Sequence, residues 1–163
     1  MKTVLLALAA VSVATSGFTF GQEQPATEKH ELRLLPSEFD FELASNGGTG
    51  TSGVAGIRTV VLKGDPNMPG LYTIMLKVPP HTKILAHDHP DDRVATVVSG
   101  TWMFGYGEDF NEQKLKALTP GSFYTEPAGV AHFAQTAESA VVLHITGIGP
   151  SGMQYIDIAE ADR

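Results

Sequence analysis

Cysteine is absent from this chain of 163 residues, so the protein forms no disulfides and offers no thiolate to a metal. Any bound metal must therefore be held by nitrogen and oxygen atoms. Long apolar runs are also missing, since Val4–Val13 is shorter than the ~20 residues that a membrane span needs. Basic residues are few, with 11 Lys and Arg against 18 Asp and Glu. The net charge of −7 argues against nucleic acid and anionic membrane surfaces as partners.

The first 21 residues predict an export signal. Lys2 supplies a positive start, Val4–Val13 is apolar, and small residues follow in Ala14–Gly17. Cleavage could follow Ser16 or Gly21, and we favour Gly21 because a polar, acidic segment then opens the mature chain. No cysteine lies near the cut, which excludes a lipid-anchored lipoprotein. We therefore expect a periplasmic or secreted protein whose mature form carries a net charge of −8.

Residues 22–56 form a predicted lead-in to the folded domain. Leu32–Leu43 is interpreted as an arm or first strand, because Phe39, Phe41 and Leu43 alternate with acidic residues. Ser45–Gly56 is so rich in glycine, serine and threonine that it predicts a flexible loop. Residues 57–163 are then predicted to form a single barrel domain.

Short apolar runs broken by turn residues fill this domain. Their spacing of roughly 8–12 residues indicates an all-β sandwich or barrel. Asp109–Leu118 lacks strand character and is expected to form a helical turn or a long hairpin loop. The predicted strands are Ile57–Leu62, Leu71–Val78, Val94–Val98, Thr101–Tyr106, Ser122–Thr125, Ala140–Thr146 and Met153–Ile158.

Three histidines carry the pattern of a metal site. On a strand, His87 and His89 point to the same side with α-carbons about 6–7 Å apart, close enough for both imidazoles to bind one ion. His132 follows a turn at Pro127–Gly129 and begins another strand-like run. Three neutral imidazoles leave coordination positions open to water or substrate, which is typical of a reactive site.

The spacing of these residues resembles the two motifs of the cupins. Both motif lengths fit without a gap, and the resemblance extends from Ile57 to Ile158. It implies a double-stranded β-helix, or jelly-roll barrel. The segments GDPNMPG, HDHP and GIGPSG are also similar to cupin domains attached to anti-sigma factors. The matching stretches are His81-x5-His87-x-His89-x3-Arg93-x6-Gly100 and Gly121-x5-Pro127-x-Gly129-x2-His132-x3-Thr136.

Three positions depart from the cupin pattern. His81 replaces the first glycine, Thr136 replaces the last asparagine, and Arg93 replaces the glutamate that ligates the metal. Arginine stays protonated and cannot be a ligand. The site is therefore either a three-histidine site or one completed by another acid, for which Asp91 and Asp92 are candidates.

The resemblance assigns roles to two further residues. Glu126 lies six residues before His132, as a glutamate does in three-histidine cupin dioxygenases that lack the glutamate ligand. This similarity implies one divalent metal ion, Fe(II) in preference to Zn, Mn or Ni, with Glu126 orienting the substrate or acting as base. Arg93 is interpreted either as an anchor for an anionic substrate or as a surface residue paired with Asp91 or Asp92.

The remaining polar and aromatic candidates have two interpretations each. His144 is either a proton shuttle lining the pocket or a core histidine bonded to a backbone carbonyl. Trp102, Phe104 and Tyr106 alternate on one strand face, which forms either the wall of a small-molecule cavity or part of a homodimer interface.

Two classes of function follow. The first is an exported mononuclear metalloenzyme, such as a dioxygenase, an isomerase or a lyase, that acts on a small oxygenated or anionic molecule. The second is a non-catalytic module that binds or senses a small ligand or a metal. Three histidines in register favour the first, with a homodimer as the expected assembly.

Overall fold

The structure is a computed structural model that describes residues 31–42, 45–46 and 49–156. The predicted export signal lies outside these residues, as does the end of the predicted strand Met153–Ile158. Every strand and turn described below belongs to the unit that begins at Leu34. Within the described ranges, no helix has the length and apolar character needed to cross a membrane.

The described chain is built from short antiparallel strands. They are β1 (Ser45–Asn46), β2 (Arg58–Lys63), β3 (Gly70–Val78), β4 (Lys83–Asp88), β5 (Arg93–Ser99), β6 (Trp102–Tyr106), β7 (Lys116–Leu118), β8 (Phe123–Glu126), β9 (His132–Gln135), β10 (Val141–Gly149) and β11 (Gln154–Tyr155). The larger sheet has the order β1-β2-β3-β10-β5-β8, and the smaller has the order β11-β4-β9-β6-β7. This non-sequential order confirms the predicted jelly-roll.

The core lies between the two sheets, on the faces where apolar residues alternate with polar ones. In β10, Leu143 and Ile145 are buried, whereas His144 and Thr146 are partly exposed on the other face. β3 shares this core through β-branched and aliphatic side chains, as does β6 through its aromatic residues. The interior between the sheets is therefore mainly apolar, with a smaller set of buried polar side chains.

The lead-in differs from its prediction. In the described part of the predicted arm, Leu32–Leu43, the structure has no strand but a 3₁₀ turn at Pro36–Glu38. Proline has no N–H to donate and readily begins such a turn. The first strand is Ser45–Asn46, inside the predicted loop, and it pairs with Thr59 and Arg58 of β2.

The predicted flexible loop is wrong for Gly50–Ser52. Thr51 and Ser52 are buried, and the carbonyl of Gly50 accepts a hydrogen bond from Arg93. Glycine and small hydroxyl residues let the backbone approach the barrel closely, so the same composition that suggested mobility permits tight packing. Asp109–Leu118 contains the expected helical turn, at Glu112–Lys114, but it also contains strand β7, which the sequence did not predict.

The motif glycines occupy the turns that need them. Gly100, Gly121 and Gly129 have φ angles of 79°, 86° and 68°, in the left-handed region that favours glycine. His81 replaces a motif glycine and adopts the same conformation, with φ of 54°. Thr136 replaces the motif asparagine, and its hydroxyl accepts from the Thr82 amide and donates to a backbone carbonyl. Both departures keep the turn geometry.

We expect Gly147→Ala to destabilise the fold by about 1–3 kcal/mol through overpacking. A Cβ at Gly147 would lie 2.6 Å from the Tyr72 hydroxyl and 2.8 Å from Asp91 Oδ2, which are hydrogen-bonded to each other at 2.7 Å. The measurement is urea denaturation. Gly152→Ala is the control, because its Cβ would make an ordinary 3.4 Å contact with Pro90. Equal losses in the two variants would contradict this account.

Candidate metal centre

A β-bulge turns His87 towards the barrel interior. Ile84 pairs with Ala134, and His87 pairs with His132, so β4 uses three steps where β9 uses two. Without the extra residue, Ile84 and His87 would point to opposite faces of the sheet. The bulge buries both side chains and places His87 directly opposite His132.

The structure brings together the three histidines predicted as ligands. His87, His89 and His132 are 4%, 1% and 2% exposed, and one ring nitrogen of each lies within 4.8 Å of the others. His87 and His132 come from paired strands, while His89 follows the end of β4. A cluster drawn from two strands and a loop could hold one metal ion.

Each histidine ring is oriented by a hydrogen bond from Nδ1. The acceptors are backbone carbonyls, so Nδ1 carries the proton and Nε2 keeps a free lone pair. The Nε2 atom of His132 is buried and has no hydrogen-bond partner. This arrangement suits metal ligation, in which the second nitrogen binds the ion. The pairs are His87 with Leu85 at 2.8 Å, His132 with Val130 at 3.0 Å, and His89 with Gly152.

The surroundings of the histidines keep two of them neutral. Burial, followed by the neighbouring His132, lowers the pKa of His87 to about 4. Burial, followed by the Arg93 guanidinium, lowers the pKa of His89 to about 3. At pH 7 both rings are therefore in the unprotonated form that binds metals.

Arg93 lies inside the barrel. Its Nε donates to Glu126 Oε2 at 2.7 Å, its Nη1 donates to the Gly50 carbonyl at 2.7 Å, and its Nη2 also reaches Glu126 Oε2. The interpretation of Arg93 as a surface residue paired with Asp91 or Asp92 is thus wrong. Arg93 alternates with exposed Val94 on β5, and its partner across the sheet is Glu126 on β8.

Glu126 is a buried carboxylate next to the histidines. Its Oε2 lies 3.9 Å from Nε2 of both His89 and His132. Burial alone would raise the pKa of Glu126, but the electrostatic effect of the Arg93 guanidinium, followed by those of the neighbouring imidazoles, lowers it to about 2. Glu126 is therefore ionised at neutral pH and balances the charge of Arg93.

The two other acidic candidates have different partners. Asp91 is buried, but its Oδ2 accepts from the Tyr72 hydroxyl at 2.7 Å. Asp92 is exposed and accepts from the backbone N–H of Ala128 at 3.0 Å. Neither joins the histidine cluster, so among the described residues the acid beside it is Glu126.

His144 does not line the cavity. It lies between Leu143 and Ile145 on β10, and those two side chains face the interior. Because adjacent residues on a strand face opposite ways, His144 is on the outer surface of the larger sheet, beside Met75 and Thr96. The prediction of a pocket position for His144 is wrong.

A cavity of about 30 Å³ lies next to the histidines, which is room for roughly two water-sized groups. Trp102 and Phe104 line it, as one interpretation of their alternation predicted, whereas Tyr106 is 45% exposed. Sequence reasoning missed Tyr124, although its position two residues before Glu126 places it on the same strand face. Other lining residues are Gly50, Thr51, Ser52, Leu76, Val78, Ile84, Ala134, Leu143 and Ile145.

The histidine cluster fits a metal ion, provided that the hydrogen bond between Arg93 and His89 is broken. The orphaned Nε2 of His132 and the orientation of all three rings are what a bound ion requires. However, Arg93 Nη2 donates to His89 Nε2 at 2.6 Å. An ion bound by His89 would take this lone pair, so Arg93 must release it.

We expect Glu126→Met to destabilise the metal-free chain by about 3–5 kcal/mol, because it leaves the Arg93 charge buried and unpaired. The double variant Arg93→Met with Glu126→Met should lose much less stability, since no charge remains to be buried. Chemical denaturation measures both. Asp92→Asn is an exposed-acid control with an expected loss below about 1 kcal/mol. A double variant as unstable as the single one would refute this interpretation of the ion pair.

Comparison with known proteins identifies the fold but little else. No protein-family model matches the chain, and a search of curated proteins finds no match. Solved structures do match, and the identities of 16–18% given below support an inference about the fold alone.

Three of these structures illustrate the likeness. A cupin 2 domain-containing protein from Halorhodospira halophila has 18% identity and a TM-score of 0.53, with 64% of this chain and 72% of that one covered. A cupin-superfamily sugar phosphate isomerase from Silicibacter pomeroyi DSS-3 has 18% identity and a TM-score of 0.50, with 63% and 67% covered. A mutant salicylate 1,2-dioxygenase from Pseudoaminobacter salicylatoxidans in complex with gentisate has 16% identity and a TM-score of 0.51, with 62% and 29% covered. With its strand order and its motif residues in place, this chain has the fold of the cupin superfamily.

Proposed function

We propose that this chain is a mononuclear metalloenzyme of the oxygenase type that acts on a small oxygenated or anionic organic molecule. The observation that carries the proposal is the convergence of His87, His89 and His132, each with Nδ1 held by a carbonyl so that Nε2 carries the lone pair that a metal would bind. The metal is one divalent ion, Fe(II) in preference to Zn, Mn or Ni.

A bound divalent ion would supply Lewis acidity and, if iron, redox chemistry with dioxygen. With an ion bound, its two positive charges and that of Arg93 would exceed the single negative charge of Glu126, which favours a carboxylate or enolate over a neutral ligand. Glu126 holds this guanidinium in position. Because the pKa of Glu126 is about 2, its carboxylate is a weak base at neutral pH. The geometry therefore favours the orienting role of Glu126 over proton abstraction.

The structural neighbours support a small-molecule substrate without specifying it. One is a dioxygenase bound to gentisate, but this chain spans only 29% of that protein. Another is a sugar phosphate isomerase of similar length. Isomerase or lyase chemistry would use the same three ligands, since the barrel accommodates many reactions.

A non-catalytic binding module is the second candidate. The cavity of about 30 Å³ is far smaller than the 300 Å³ or more that is typical of pockets for whole organic ligands. In addition, Arg93 contacts His89 where a metal would bind. Both features suit a closed barrel that binds an ion or a very small ligand without turning it over.

Metal analysis of the purified chain tests the site. We expect one divalent ion per chain, lost in His132→Ala because two imidazoles do not retain it. His81→Asn is the matched control: it removes an exposed histidine, and asparagine tolerates the left-handed backbone found there. Oxygen uptake by the iron-loaded chain, screened with small carboxylates and enolisable ketones, separates the oxygenase from the binding module. A His132→Ala chain that keeps its full metal content would disprove the site.

We also propose that the chain is exported, on the basis of Lys2 and the apolar run Val4–Val13. Expressed in full in a bacterial host, the protein should be recovered from the periplasm or medium with Gln22 as its first residue. N-terminal sequencing measures this. Lys2→Glu should lower the exported fraction, whereas recovery of an intact N-terminus inside the cell would count against export.

Homodimerisation stays a prediction. Several exposed apolar side chains share the outer face of the larger sheet, which supports an interface between two copies there. They are Leu71, Val94, Val98, Phe123 and Ile148.

A further inference from the structure

Three side-chain donors that line the cavity have no hydrogen-bond partner: Ser52 Oγ, Trp102 Nε1 and the Tyr124 hydroxyl. Of these, Trp102 and Tyr124 lie next to each other. The indole Nε1 of Trp102 and the hydroxyl of Tyr124 are both fully buried, and neither makes a hydrogen bond. Their side chains are 4% and 6% exposed and line the cavity. An unpaired buried polar group is costly, and folded proteins rarely keep one without a reason.

The two donors lie close to one another and to Glu126. Tyr124 is two residues before Glu126 on β8 and shares its inward face. The Tyr124 hydroxyl is near enough to Trp102 Nε1 and to the Glu126 carboxylate to interact with both, but neither contact has hydrogen-bond geometry. Burial, followed by the Glu126 charge, raises the pKa of Tyr124 well above its usual value. The hydroxyl is therefore a donor at neutral pH.

Phe104 connects this pair of donors to the histidines. Its ring centroid lies 4.4 Å from that of Tyr124 and 5.5 Å from that of His132. Phe104 is also two residues after Trp102 on β6 and faces the same way. Phe104 thus contacts both the donor pair and the histidine cluster.

We propose that Trp102 and Tyr124 form an oxygen-binding pocket for the ligand of this site. Trp102 N–H and Tyr124 O–H donate to one oxygen atom, while the carboxylate of the same molecule faces the histidines and Arg93. The pocket therefore selects short carboxylic acids that carry a second oxygen, such as small hydroxy or oxo acids. This inference deepens the proposed function and rests on it for the placement of the carboxylate.

The small cavity supports a short ligand. The free space of about 30 Å³ is room for roughly two water-sized groups, so a ligand whose carboxylate lies at the histidines can place only a short second group in the cavity. Apolar side chains, Leu76, Val78 and Leu143 among them, form much of the remaining wall of the cavity. A methyl group in the pocket would leave both donors unpaired, whereas an oxygen would satisfy them. The pocket should therefore bind a ligand with an oxygen at this position more tightly than one with a methyl group.

Glycolate and propionate test the inference, because they are the same size and differ in a hydroxyl against a methyl group. The probes are titrated into the metal-loaded chain, with the dissociation constants measured by calorimetry. Trp102 is the single tryptophan in the sequence, so a change in its fluorescence reports a ligand at the pocket. We expect tighter binding of glycolate, by about three- to tenfold for each hydrogen bond gained.

Tyr124→Phe removes one donor and keeps the ring. It should lower the preference for glycolate by about three- to tenfold while the metal content stays at the wild-type value. Tyr106→Phe is the matched control, since the Tyr106 hydroxyl bonds to the Thr125 carbonyl outside the cavity. Trp102→Phe is the second variant. Its thermal unfolding is checked first, and its affinity for the two acids is then measured by calorimetry.

The outcomes separate this inference from the function on which it rests. Equal affinity for the two acids, or a preference for glycolate that persists in Tyr124→Phe, overturns the pocket and leaves the metal site standing. A wild-type chain that binds no metal but still prefers glycolate through Tyr124 overturns the metalloenzyme and retains the pocket.

Discussion

The buried ion pair between Arg93 and Glu126 is the constraint around which the site is arranged. Two charges inside a barrel are tolerated only when each satisfies the other, so neither residue can change alone. The guanidinium also holds the Gly50 carbonyl and thereby draws the glycine-rich segment against the barrel. A single side chain on β5 therefore links the larger sheet, the histidine cluster and the segment before β2. A cation occupies the motif position where the cupins have an anionic metal ligand.

This substitution makes metal binding and the position of Arg93 interdependent. His89 Nε2 has one lone pair, and a metal ion and a guanidinium cannot both use it. An ion that binds must displace one donor of Arg93 from His89. The guanidinium keeps its positive charge and repels the ion. Glu126 offsets this repulsion, because its ionised oxygen lies 3.9 Å from two of the ligand nitrogens. An anionic ligand that accepts the displaced donor would strengthen the binding of the ion, and the reverse follows by linkage.

The sequence predicted the features that depend on local residue spacing. It did not predict the contacts between strands that are far apart in the chain. The alternation of β10, the turn glycines and the three histidines were recoverable because each follows from strand parity or backbone φ. Even so, His87 faces inward only because of a β-bulge that the neighbouring sequence does not predict. The sequence leaves two interpretations of Arg93 open, because its partner, Glu126, is 33 residues away and the register that pairs them is set by the whole sheet. The pocket interpretation of His144 conflicts with its apolar neighbours Leu143 and Ile145, which indicate which face of β10 lies inside.

The small cavity explains how the same residues can set both chemistry and ligand size. The histidines and the ion pair form a polar cluster, and the rings of Phe104 and His132 lie 5.5 Å apart. Tyr124 lies beside both Phe104 and Glu126, so the proposed oxygen pocket borders this polar cluster directly. Packed apolar residues form much of the remaining wall, which limits the length of a ligand. Selection by length and by polarity would thus follow from the cavity and its donors, independently of which metal the histidines hold.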